Sequence, residues 1–149
     1  MSTEHARLAA PPETLDEDPP LADLMTRRLV GITPDADALV ALGLLADAGI
    51  RHLPVLRGHR CQGLIFEHDI IRCLAEGRLR GPVTVGSLCR PVPTLRSADR
   101  SSTAARSMNA TGVDAVLVTE GHRLVGLVTA TDLIRSLAPA VRRRSEPER

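Results

Sequence analysis

Val55-Leu56-Arg57-Gly58-His59-Arg60-Cys61-Gln62-Gly63-Leu64 and Val118-Thr119-Glu120-Gly121-His122-Arg123-Leu124-Val125-Gly126-Leu127 are one segment written twice, with Val, Gly-His-Arg and Gly-Leu in the same places. The register continues without a gap through Asp69/Asp132, Ile71/Ile134, Arg72/Arg135, Leu74/Leu137 and Ala75/Ala138, and upstream Gly49-Ile50 falls on Gly112-Val113. A fixed period over such a length marks a repeated structural unit. Two units follow, 20–76 and 83–139, joined by a linker at 77–82. Residues 1–19 and 140–149, rich in Pro, Arg and Glu and without periodicity, are expected to be mobile tails.

Each unit carries the same punctuation. A short apolar stretch (Leu29–Ile32; Val92–Leu95) reads as a strand. Pro34 or Ser97 then marks a turn, and Asp35, Asp37 or Asp99 offers a carboxylate to cap a helix. In the first helix Leu39, Leu42, Leu45 and Ala46 are expected on one face, with Ala104, Ala105 and Met108 in the same role in the second unit. Gly49 and Gly112 sit where a helix C-cap is expected. Two strands come next, Ile50–Leu56 with Cys61–Phe66 and Val113–Thr119 with Leu124–Thr129, each pair joined by a Gly-His turn that suits a hairpin. A closing helix, 67–77 or 130–138, carries Ile70, Ile71 and Leu74, or Leu133, Ile134 and Leu137. The predicted unit is β-α-β-β-α, an α/β (α+β) arrangement. Units this small bury too little apolar surface alone, so the two are expected to pack on each other through their small sheets, related by a pseudo-twofold.

The remaining composition narrows the function. The chain has 149 residues, 43% hydrophobic and 25% charged, with no apolar run long enough for a membrane span and no secretory signal in its first residues. A net charge of +1 is no footprint for nucleic acid or anionic lipid, and with no Trp, no Tyr and one Phe there is no stacking platform for single strands. The arginines at 142–144 are followed by Glu146 and Glu148 and make a weak patch. Cys61, Cys73 and Cys89 are odd in number and lack metal-ligand spacing, which predicts free thiols and a cytoplasmic location. No metal site is expected, and the cysteines give no ground for a redox role. No nucleophile elbow, H-E-x-x-H or P-loop is present. Glu67-His68-Asp69 is acid-base in composition, but adjacent helix positions point apart. The chain is therefore expected not to be an enzyme.

Three further motifs carry a resemblance: Gly126-Leu127-Val128-Thr129-Ala130-Thr131-Asp132, Gly49-Ile50-Arg51-His52-Leu53-Pro54-Val55, and Ile32-Thr33-Pro34. In this order and on this repeat, the chain resembles a tandem cystathionine-β-synthase (CBS) domain pair over residues 20–139. The resemblance implies a non-catalytic sensor that binds AMP, ADP, ATP or another adenosyl compound in the cleft between its halves. It also implies a homodimer; with no catalytic, channel or transporter motif in the sequence, an effector is expected to be regulated in trans. No cofactor is required. The alternative is a structural or interaction protein whose ligand site has decayed.

Thr129-x-x-Asp132 fits a capping box, and it also fits a binding turn. In the second reading the Thr129 hydroxyl and the helix start, with Thr131, meet a phosphate, while the Asp132 carboxylate accepts ribose hydroxyls. The other half would add Arg51 for phosphate, His52 as donor or acceptor, and Val30, Ile32 and Thr33 beside the base. The pseudo-twofold mate is degenerate. Phe66 replaces Thr129, Asp114 replaces Arg51, Ala115 replaces His52 and Arg96 replaces Thr33, leaving Asp69 as the match to Asp132. One good site per chain is predicted. The small-residue helix faces (Ala36, Ala38, Ala41; Ala104, Ala105, Ala110) are expected to permit helix contacts in an isologous dimer.

Overall fold

The computed structural model of the chain describes residues 18–138. Its elements run α1 (Ala38–Ala48), β1 (His52–Arg57), β2 (Arg60–Phe66), α2 (Glu67–Ala75), α3 (Val85–Leu88), β3 (Thr94–Arg96), α4 (Ser101–Thr111), β4 (Ala115–Glu120), β5 (Arg123–Thr129) and α5 (Ala130–Ser136), with 3-10 turns at Leu21–Asp23 and Arg78–Arg80. The hairpins β1–β2 and β4–β5 are antiparallel. Each slips register at the same repeat position, between Val55 and Leu56 and between Val118 and Thr119. β3 joins β4 in parallel, giving a three-stranded sheet opposite a two-stranded one. Two α+β repeats thus face each other. Leu64, Phe66, Ala115, Leu117 and Leu127 fill the seam where β2 meets β4 and β5.

The punctuation read from the sequence operates as expected in several places. Gly49 and Gly112 end α1 and α4 at φ +67° and +71°, where a side chain would be strained. Asp37 caps α1 by accepting the Leu39 N–H at 2.7 Å. Other readings need correction. The strand expected at Leu29–Ile32 shrinks to a single parallel bridge, Ile32 with Val55. Asp99 does not cap α4; it accepts the Arg96 N–H instead. The cap comes from Asp18, whose Oδ1 accepts Ser102 N–H and Ser101 Oγ–H, and whose Oδ2 accepts Ser102 Oγ–H. These bonds, above all those from Ser102, hold the Asp18 carboxyl below its ordinary range. Asp18 and Pro19 were expected to belong to a tail, yet both are bonded to α4; the remaining tail residues lie outside the described ones.

The helix faces are rotated from expectation. α1 buries Ala38, Ala41 and Leu45 and exposes Leu39 and Ala46. α4 buries Ala104 and Met108 and exposes Ala105. α2 buries Asp69, Ile70 and Cys73 and exposes Ile71 and Leu74. α1 is apolar nearly all round, so its spacing alone does not choose a face; the small side chains turn inward because they let the helix sit close to its sheet. Ala38, Ala41 and Ala104 are fully buried within their own lobes, so they are not available for contact with a second chain.

The segments ahead of each first strand cross to the opposite lobe. Leu21 and Met25 pack with Ala104, Met108, Val116 and Val118, while Val85 packs with Ala38, Ala41 and Leu45. The backbone repeats the exchange: Leu21 N–H bonds Asp99 O and Val85 N–H bonds Ala36 O, then Thr26 bridges Leu127 and Arg90 bridges Leu64. At each bridge the neighbouring glycine, Gly63 or Gly126, lets the crossing segment lie against the strand, since a Cβ there would strike Arg90 backbone or the Met25 side chain. No helix among the described residues is long and apolar enough to cross a membrane.

Candidate functional site

A cleft of about 530 Å³ opens between the lobes, within the range of roughly 300–1,000 Å³ common for small-molecule sites. Its walls come from the crossing segment (Thr26, Arg28, Leu29, Val30), the end of α1 and start of β1 (Gly49, Ile50, Arg51, His52), and the β5–α5 turn with its helix (Thr129, Thr131, Asp132, Arg135). Six of the eight residues expected at the site line it together: Thr129, Asp132, Thr131, Arg51, His52 and Val30. Ile32 does not; it is buried in the first core, because its backbone bridges Val55 and turns its side chain inward. Thr33 is exposed and lies outside the cleft lining.

The β5–α5 turn forms the capping box in full. Asp132 Oδ2 accepts Thr129 N–H at 2.8 Å and the Thr129 hydroxyl at 3.1 Å, and Thr129 Oγ1 accepts Asp132 N–H at 3.3 Å. Ala130 N–H is bonded to Asp114 O. Three N–H groups of the helix start are thus already satisfied, which removes most of the phosphate cradle expected there. Asp132 Oδ1 keeps acceptor capacity toward the cleft.

Asp114, expected at the degenerate mate, lies in this same cleft. It sits just ahead of β4 as Arg51 sits just ahead of β1, and both line the cleft. His52 Nε2 donates to Asp114 Oδ1 at 3.0 Å, linking the first lobe to the second. His52 is itself buried, with its ring edge-on to Phe66 at 5.1 Å.

The mate position is filled by protein. Phe66 is buried where Thr129 has its counterpart, and α2 begins without a side-chain cap. Asp69, 8% exposed, accepts a two-pronged contact from Arg90: Nε to Oδ2 at 2.7 Å and Nη2 to Oδ1 at 2.8 Å. The Arg90 guanidinium also lies 5.4 Å from the Phe66 ring centre. Hydrogen bonding to Asp69 pushes Arg90 above its ordinary value, so the guanidinium keeps its charge. Arg96, the counterpart of Thr33, is exposed at the end of β3 and takes no part in this cluster.

Sequence reasoning missed Arg90. Its counterpart by backbone pairing is Thr26, since Arg90 bridges Leu64 as Thr26 bridges Leu127. The crossing segments are offset by one residue more than the repeat, so a gapless alignment does not place Arg90 beside Thr26. Threonine is too short to reach Asp132 as Arg90 reaches Asp69, and the first cleft stays open. The thiols are poor nucleophiles: burial pushes Cys61 and Cys89 up, and Cys73 is buried. Among the described residues no cluster of side chains has metal-binding geometry.

Comparison with known proteins matches the CBS domain family twice, over residues 21–76 and 85–139. The chain belongs to the CBS domain family, as a tandem pair. An uncharacterized protein of Methanocaldococcus jannaschii, MJ1225, is 26% identical over 119 residues, which cover 79% of this chain and 42% of that protein. The chain spans about two fifths of the length of the curated relatives it matches. Among solved structures, the CBS domain pair of protein MJ0100 in complex with methylthioadenosine and S-adenosyl-L-methionine superposes with a TM-score of 0.73 at 22% identity, covering 80% of this chain and 96% of that one. The CBS domain of a bacterial CNNM/CorC family Mg2+ transporter in complex with ATP gives 0.72 at 23% identity, covering 83% and 91%.

Proposed function

We propose that this CBS pair is a non-catalytic regulatory module that binds one adenine nucleotide, or another adenosyl compound, per chain and acts in trans on a protein partner. The observation that carries this reading is the asymmetry of the two pseudo-equivalent positions. Arg90 and Phe66 occupy one, while Thr26 leaves the other as an open cleft with Asp132 Oδ1, Arg51 and Thr131 on its walls. The adenosyl ligands of MJ0100 and of the CNNM/CorC domain support the ligand class.

In this reading Asp132 receives the ribose hydroxyls, Val30 borders the base, and Arg51 and His52 face the ligand from the first lobe. Because Asp132 and Arg51 belong to different lobes, a ligand touching both favours one relative packing, which a partner senses as a shift in population. The apolar side chains left outside on the helices (Leu39, Val40, Ile71, Leu74 and Ile134) support a homodimer through those faces, in place of the buried Ala38, Ala41 and Ala104. We place the protein in the cytoplasm, in keeping with its free thiols.

One observation favours the second reading, a scaffold with a decayed site: Thr129 and Asp132 already satisfy each other. Thermal unfolding with adenosine, AMP, ADP, ATP and S-adenosylmethionine separates the two. A ligand at 100 times its Kd adds about 2.7 kcal/mol, a clear rise in Tm, whereas a decayed site gives none with any of them. Mass spectrometry of small molecules released from purified protein identifies the compound carried from the cell. Sedimentation at micromolar concentration tests the dimer.

A further inference from the structure

Three guanidinium groups line the open cleft from three separate segments: Arg28 on the crossing segment, Arg51 ahead of β1, and Arg135 on α5 one turn beyond Asp132. All three are exposed, and among the described residues none of them forms an ion pair. The two carboxylates of the cleft are engaged differently: Asp114 accepts from His52, and Asp132 accepts from Thr129. The start of α5 has spent the N–H groups of Thr129, Ala130 and Asp132 on Asp132, Asp114 and Thr129, so a phosphate entering the cleft finds most of its donors in the arginines and few in the helix.

A planar guanidinium fork pairs with phosphate oxygens two at a time. A single phosphate carries less negative charge than three guanidinium groups can balance, whereas a diphosphate or triphosphate tail is both more negative and long enough to meet forks that stand on separate segments. We infer that the cleft selects nucleoside polyphosphates, preferring ATP and ADP to AMP and rejecting the cationic S-adenosylmethionine. This inference rests on the adenine-nucleotide reading above and adds the ligand class to it. The relatives of known structure do not decide the point, since one of them carries a sulfonium ligand and another a triphosphate.

Calorimetric titration of the full chain, in EDTA so that the phosphates are free of metal, with adenosine, AMP, ADP, ATP and S-adenosylmethionine provides the test. Affinity is expected to climb along the first four, with ATP at least about tenfold tighter than AMP, the scale of one charge-assisted contact. S-adenosylmethionine is expected to bind no better than adenosine. Arg28→Gln/Arg51→Gln/Arg135→Gln, three exposed changes whose folding is checked by the melting curve, is expected to collapse the series onto the value for adenosine. Equal affinity for AMP and ATP, tighter binding of S-adenosylmethionine, or an unchanged series in the triple variant overturns the inference and leaves the adenosyl site standing. No heat with any of the five compounds overturns both.

Discussion

Replacing Arg90 by threonine, the residue that the other crossing segment carries at position 26, removes the guanidinium that neutralises Asp69. Breaking a buried ion pair from one side costs about 3–5 kcal/mol, because the remaining charge is left without a partner. Two features reduce that figure here. The Arg90 side chain is 38% exposed, so water enters once it is shortened, and His68 Nε2 stands 3.4 Å from Asp69 Oδ1 as a substitute donor. Loss of the contact with the Phe66 ring adds about 0.5–1 kcal/mol. The expected cost is about 2–3 kcal/mol, which for a folded unit of this size lowers Tm by roughly 6–12 °C. The assay is a double-mutant cycle of Arg90→Thr, Asp69→Asn and the double variant in urea unfolding. The coupling should reach about 1.5 kcal/mol, since once Asp69 is uncharged the loss of Arg90 matters little. A coupling below about 0.5 kcal/mol would refute the claim that Arg90 serves as the built-in occupant of the second position.

The open cleft should behave oppositely. Asp132→Ala is expected to weaken adenine-nucleotide binding by about 1.5–3 kcal/mol in calorimetry, while Asp69→Ala lowers stability and leaves that affinity near its starting value. Thr26→Arg should place a guanidinium within reach of Asp132, raising Tm and reducing nucleotide affinity about tenfold or more by filling the cleft. Asp18 predicts an acid limb. Its carboxyl is held below the ordinary value of 3.8, so its contribution is complete above that pH and is lost as pH falls through the folded-state value. Asp18→Asn should flatten the limb when stability is followed by denaturant unfolding from pH 6 to 3. Finally, Gly63→Ala should cost more than Gly126→Ala in the same assay. At Gly63 φ is +148° and the new methyl meets the Arg90 carbonyl, whereas at Gly126 no positive φ adds strain and the methyl meets a side chain, Met25, in place of backbone.

The repeat itself was legible in the sequence because it is written in residues with strict local roles. Gly58 and Gly121 take positive φ in the hairpins, Gly49 and Gly112 close helices, and their spacing survives any rearrangement of surface side chains. The pairing of β1 with β2 and of β4 with β5, and the hydroxyl and carboxylate of the β5–α5 turn, followed from the same local grammar. Tertiary structure decided what depends on segments distant in sequence. Which face of α1 turns inward was settled by how closely its alanines approach the sheet. That Asp18 caps α4, and that Asp114 turns to His52, depended on parts of the chain far from each pair. Above all, which of two similar positions stays open depended on one residue in each crossing segment, Thr26 or Arg90. Those segments exchange between lobes with their own offset, so only the folded backbone reveals that the two residues are counterparts.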